Sequence, residues 1–230
     1  MRPISFDNSY VRLPNTFYRR VSPSDVSKPE LIRVNRQLAD ELDIDAEWLA
    51  SDEGISMMAG CEMPNGADPI AAVYAGHQFG HYVPRLGDGR AMLVGEVITS
   101  RHSRFDIQLK GSGPTPYSRG GDGRSPLGPV LREYIVSEAM YHLGIPTTRS
   151  LGAILTGDKV IREGKLPGAI LTRVARSHIR IGTHQYFAAY GDFESLNSLV
   201  KYVVDRHYPE INESQEYVLE MLSSVMARQA

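Results

Sequence analysis

The stretch from Ala91 to Leu143 constrains the fold more than any other part of this chain. AMLVGEVIT (91–99) is a short apolar run with β-branched residues and reads as a strand. RFDIQLKG (104–111) alternates, with Phe105, Ile107 and Leu109 on one face and Asp106, Gln108 and Lys110 on the other, which is the period of a second strand. A loop rich in Gly, Pro and Ser (111–126) follows. Beyond it, Leu127, Val130, Leu131, Tyr134, Ile135, Ala139 and Leu143 trace one stripe of a helix that Gly144 and Pro146 stop.

The flanks are read the same way. RSLGAILTGDKVIREG suggests a hairpin turning at Thr156–Lys159, and GAILTRVA (168–175) another strand. From Asp192 the pattern is helical, in two amphipathic segments with Asp192 and Asn212 as N-caps. Residues 1–65 are rich in turn formers, with one helix predicted between Pro29 and Leu49 from the spacing of Leu31, Val34, Leu38 and Leu42. The expected division is a wrapping extension (1–66), a sheet-containing lobe (67–185) and a helical start (186–230). Apart from Gly-Asp-Gly-Arg at 87–90 and again at 121–124 there is no internal repeat.

At 230 residues the chain can bury a full core. Its 25 basic and 27 acidic side chains give a formal charge of −2, which argues against a general electrostatic grip on nucleic acid. Cys61 is the sole cysteine, so neither an intrachain disulfide nor a cysteine zinc site can be built, in keeping with a reducing compartment. No apolar run approaches the ~18–20 residues of a membrane span. The N-terminus MRPISFDNSYVRLP has neither the apolar segment of a secretory signal nor the character of a mitochondrial one. A soluble cytoplasmic protein that binds neither membrane nor nucleic acid is the expectation.

The order of elements carries chemistry. Glycine turns let backbone N–H groups approach phosphate oxygens, Lys110 offers a positive charge at a strand end, and a helix carboxylate, Glu133 or Glu138, can fix that lysine by an ion pair. Protein kinases use such a scheme. The plainer reading is a surface lysine beside two ordinary turns. Arg173, at the end of GAILTRVA, and Arg180, seven residues on, suit bidentate phosphate binding or ordinary surface ion pairs. Neither a P-loop nor a GxGxxG dinucleotide turn is present. HQFGH places His77 and His81 four apart, but Gln78 stands where a zinc protease needs glutamate, so hydrogen-bonded structural histidines are the reading there.

Taken together, VYAGHQFG, LGDGR, LKGSGPTPYSRGGDGR, SEAMYHLGIPTTRSL and GAILTRVARSHIRIGTH closely resemble the N-terminal portion of the selenoprotein O family, in order, across residues 67–185. The resemblance implies an α+β, protein-kinase-like (pseudokinase) small lobe with an N-terminal extension and the first helices of a helical large lobe. It implies ATP bound in a flipped orientation, and AMP transfer to Ser, Thr or Tyr hydroxyls of protein substrates. By the same resemblance Gly87, Gly89, Arg90, Lys110, Asp122, Gly123, Arg173 and Arg180 bind the nucleotide, and Glu133 is the partner of Lys110. The family's catalytic Asp-Asn pair and metal-binding Asp-Tyr-Gly motif have no counterpart here, so the base and the ligands of Mg²⁺ or Mn²⁺ are expected downstream of Ala230. On this basis the 230 residues alone are expected to be inactive. The alternatives are a non-catalytic nucleotide-binding or interaction module and a conventional kinase-like phosphotransferase.

Overall fold

The computed structural model describes residues 4–211 and 214–229. It divides into two compact units, Met1–Val73 with Arg85–Ile179, and Tyr74–Pro84 with Arg180–Ala230. The first is a mixed α/β unit built on an antiparallel sheet.

Its strands are β1 (Tyr18–Arg20), β2 (Glu30–Val34), β3 (Ile70–Ala72), β6 (Ala91–Ile98), β7 (Arg104–Lys110), β8 (Ser125–Pro126), β9 (Arg149–Ile161) and β10 (Lys165–Ala175). The spatial order is β1-β3-β6-β7-β10-β9-β2, with β8 also pairing β10. Ile107 and Leu109 of β7 join Ile154, Ile170 and Val174 in the main core, as the alternation predicts. Three short helices cover that face: α1 (Arg36–Glu41), α2 (Ala46–Leu49) and α3 (Asp52–Ala59). They contribute Leu38, Leu42, Leu49, Met57 and Met58. The opposite face carries α4 (Leu127–His142), whose Val130 packs on Ala153, Ala169 and Leu171.

Two expectations are corrected. The helix between Pro29 and Leu49 forms only in part, because Glu30–Val34 is an edge strand, with Leu31 opposite Ile154 and Val34 opposite Gly152 on β9. Asn35 then turns the chain: its side-chain oxygen accepts from the Leu38 N–H at 3.1 Å and so starts α1. The apolar spacing that suggested one helix is therefore shared between β2, which takes Leu31 and Val34, and α1, which takes Leu38 and ends at the Leu42 cap. The β9–β10 hairpin turns at 162–164, not at Thr156–Lys159; Lys159 pairs with Pro167 and Val160 with Leu166, so the ladder continues past the turn-like residues. Gly157, at φ +78°, takes up an irregularity within β9 rather than reversing the chain.

The second unit holds the β4 (Gly76–Gln78) and β5 (His81–Val83) hairpin and the helices α5 (Ile181–Ala189), α6 (Phe193–His207) and α7 (Tyr217–Gln229). His77 and His81 lie on the two arms of that hairpin, so the helical spacing of a zinc motif does not arise. Asp192 caps α6 by accepting from the Ser195 N–H at 3.0 Å; Asn212, expected to cap the last helix, lies outside the described residues. Among the described residues no helix is long and apolar enough to cross a membrane.

Candidate functional site

The polar face of β7 carries Arg104, Asp106, Gln108 and Lys110 at two-residue intervals, and each finds a partner on a different element. Arg104 pairs with Glu96 of β6 at 3.0 Å. Asp106 accepts from the His178 backbone N–H at 2.7 Å. Gln108 accepts from Arg173 of β10, which faces it across the ladder. Lys110 Nζ donates to Glu133 Oε2 on α4, while the other oxygen of Glu133 receives Arg173 Nη1 at 3.3 Å. One carboxylate thus joins two cations from two strands.

Burial of Lys110 holds its ammonium below the ordinary lysine range. The charge of Arg173 adds to this, Glu133 opposes it, and Arg90 lowers it further. The charges bearing on Lys110 are therefore two other cations and one carboxylate. An anion bound beside Lys110 would raise its basicity. Glu138, the other carboxylate considered on α4, points elsewhere and pairs with Arg149 at 2.9 Å.

The two Asp-Gly-Arg turns belong to one continuous arrangement around the 111–126 loop. At the first turn, Thr115 Oγ1 donates to the Asp88 carbonyl at 2.6 Å and Ser118 Oγ to the Gly89 carbonyl at 2.5 Å. The Gly111 N–H donates to the Arg90 carbonyl at 2.8 Å, which places Arg90 beside the end of the Lys110 strand. At the second turn, the Gly113 N–H donates to the Gly123 carbonyl at 3.3 Å, closing the base of the loop. Both glycines have packing reasons to be glycine. A Cβ on Gly87 (φ +59°) would lie 2.6 Å from Tyr117 Cδ1, and one on Gly123 (φ +64°) would fall onto the Gly113 carbonyl. Asp122 binds Arg162 at 2.8 Å, and that guanidinium, ahead of the Arg124 backbone N–H, holds its carboxyl below the usual range despite some burial. A cavity of about 220 Å³ opens next to this loop, lined by Gly111, Arg124, Ser125, Thr156, Asp158 and Lys159 among others.

The structure therefore gathers Lys110, Glu133 and Arg173 directly, and Gly87, Gly89, Arg90, Asp122 and Gly123 through the loop that begins at Gly111. Arg180 belongs to the second unit, where it precedes α5 and lies over the Tyr74 ring at 4.9 Å. Gln108, buried and holding Arg173, is absent from the sequence-derived set. Its signal was its place on the lysine face, two residues before Lys110.

Comparison with known proteins decides the family. The model of the protein adenylyltransferase SelO family matches residues 2–230. The chain belongs to that family. Among curated SelO relatives, the protein nucleotidyltransferase YdiU of Rhodopseudomonas palustris (strain BisB5) is 60% identical over 225 residues, 98% of this chain and 46% of the relative. That of Rhizobium meliloti (strain 1021) is 59% identical over 230 residues, all of this chain and 47% of the relative. The chain thus spans about half the length of the curated SelO relatives it matches.

Proposed function

We propose that this chain is the nucleotide-binding portion of a protein adenylyltransferase, organised as a kinase-like small lobe with the first helices of a helical large lobe. It would act with ATP bound in flipped orientation, so that the α-phosphate meets the acceptor. The supporting observation is Glu133 held between Lys110 and Arg173, with Arg90 close by, in a member of a nucleotidyltransferase family.

In the proposed reaction a Ser, Thr or Tyr hydroxyl oxygen of a protein substrate forms a bond to the α-phosphorus. The bond from that phosphorus to the oxygen bridging to the β-phosphorus breaks, pyrophosphate leaves, and the hydroxyl proton passes to a general base. Lys110 and Arg173 bind the phosphates that leave and neutralise the charge growing on them. Glu133 and Gln108 hold the cations in place. Gly87, Gly89, Asp122 and Gly123 line the rest of the nucleotide site.

On this reading no residue of this chain is assigned as the base or as a metal ligand. Among the described residues no three His, Cys, Asp or Glu side chains are gathered to hold a metal. Mg²⁺ or Mn²⁺ would supply further neutralisation of the phosphates.

The test is incubation of the complete protein with a divalent cation and ATP labelled at either the α- or the γ-phosphate. Label entering protein from the α position, with pyrophosphate released, is the expected result. Label entering only from the γ position would establish a conventional phosphotransferase. Nucleotide binding with no transfer from either position would leave a binding module.

A further inference from the structure

Helix α4 rests on the sheet through a small apolar patch. Val130 meets Ala153, Ala169 and Leu171, with Leu127, Tyr134 and Ile32 at its margin, while Ile135 and Leu143 of the same predicted stripe remain exposed. Such contact is non-directional and sets how closely the helix approaches better than how it is rotated. The rotation has a polar cause. Glu138 Oε1 accepts from Arg149 Nε at 3.0 Å and from the Ser150 N–H at 2.8 Å, and Oε2 accepts from Arg149 Nη2 at 2.9 Å and Asn35 Nδ2 at 2.8 Å.

The same residues tie three elements together. Arg149, buried at the start of β9, also binds Glu41 of α1 at 3.2 Å and lies over the Tyr141 ring of α4 at 3.3 Å. Asn35 donates to the Ser150 carbonyl at 3.1 Å while its oxygen caps α1. Ser137 and Ser150 share a buried hydrogen bond of 2.8 Å. The bonds from Arg149, Ser150 and Asn35 hold Glu138 below the ordinary glutamate range although burial pushes it up.

Glu133 and Glu138 are five residues apart, about 140° around the helix and roughly 7.5 Å along it. Turning α4 away from Arg149 would therefore also turn Glu133 away from Lys110 and Arg173. We infer that Arg149, Glu138 and Asn35 form a positioning clamp that fixes the rotation of α4 and so holds Glu133 between Lys110 and Arg173. None of the three touches the anion-facing groups, and they act through Glu133. The inference rests on the reading of Lys110 and Arg173 as a nucleotide site.

The test is a mutant cycle in the complete protein, with Arg149→Met, Glu133→Gln and the double variant. A fluorescent ATP analogue reports affinity, and hydrogen exchange reports the mobility of residues 127–142. Glu138→Gln, which keeps the shape and removes the charge, serves as the second variant where Arg149→Met does not fold. Each single variant is expected to weaken ATP by about tenfold, and the double variant to be no more than about twofold weaker than Glu133→Gln alone, as for residues acting through one another. Exchange in α4 should quicken by about tenfold in Arg149→Met while β6 and β7 keep their protection. Wild-type affinity with unchanged α4 exchange in the clamp variants overturns the inference, and so do losses that multiply in the double variant. A wild-type protein that binds no ATP refutes the nucleotide reading instead; the exchange of α4 then decides the clamp by itself, faster supporting it and unchanged overturning it.

Discussion

Arg173 of β10 lies directly across the ladder from Gln108 of β7, and its guanidinium donates to the Gln108 side-chain oxygen. With Glu133 on its other side, Arg173 is held by two acceptors from two elements, β7 and α4. A lysine cannot span both, since its ammonium is a point charge and lacks the planar fork. Arg173→Lys is therefore expected to weaken ATP binding by about tenfold or more. Gln108→Leu, which leaves the cation in place and removes one acceptor, should cost about 1–3 kcal/mol of stability and a smaller loss of affinity. Calorimetric titration with ATP and chemical denaturation measure the two quantities. Equal affinities for all three proteins would remove Arg173 from the site.

Lys110 sets stability against binding. Its basicity is lowered first by burial and then by Arg173, so folding disfavours its charged form. The sign follows: for a lowered lysine, the favourable contribution is present above the unfolded value of about 10.4 and is lost as pH falls through the folded one. Below the folded value the cost is fully in place. Lys110→Met is thus expected to melt no lower than the wild type at pH 7 while binding ATP at least about tenfold more weakly. Thermal melts at pH 7 and pH 10.5 give a second check, because the advantage of the variant should shrink at the higher pH. A variant that melts well below the wild type at pH 7 would contradict this.

What could be read from the sequence follows the range of the interactions. β6, β7, β10 and α4 are written in local periodicity, and that periodicity put Lys110 on the face turned toward α4. β2 could not be read so, because its partner β9 begins over a hundred residues later and only the sheet edge makes a strand of ELIRV. The true β9–β10 turn was hidden because TGDK carries better turn residues than the segment that reverses the chain. Gln108 and Arg173 are 65 residues apart, so neither announces the other. The glycines were ambiguous for another reason: the pattern of a phosphate loop and the pattern demanded by the Tyr117 ring are the same at Gly87.

Glu96 anchors the N-terminal segment to the sheet. It is buried, and its carboxylate accepts from the Ser9 N–H at 2.8 Å, Ser9 Oγ at 2.5 Å, the Tyr10 N–H at 2.6 Å and Arg104 at 3.0 Å. Its own N–H donates to Asn8 Oδ1 at 2.9 Å. Glu96→Ala would leave Arg104 and three other donors without this acceptor, at an expected cost of about 3–5 kcal/mol. Glu96→Gln keeps one acceptor oxygen and should lose less. Limited proteolysis should cut the first twenty residues faster in Glu96→Ala, in step with the stability loss. Cleavage at the wild-type rate would mean that the segment is held by other contacts.

Gly87 separates packing from ligand binding at the first Asp-Gly-Arg turn. Its φ of +59° costs a non-glycine residue about 1–2 kcal/mol. A Cβ there would also meet the Tyr117 ring, 2.6 Å from Cδ1 and 2.8 Å from Cβ. Overpacking of that kind adds about 1–3 kcal/mol. Gly87→Ala is thus expected to destabilise by roughly 2–5 kcal/mol. Adding Tyr117→Gly clears both the ring and Cβ and should return the overpacking part of the loss relative to Tyr117→Gly alone, while the backbone part remains. ATP affinity then gives the discriminating reading in the double variant. If the turn only supports the loop, affinity should recover with packing. If its N–H groups meet phosphate, the changed backbone should keep affinity low after packing is relieved, and that persistent loss is the outcome the nucleotide site predicts.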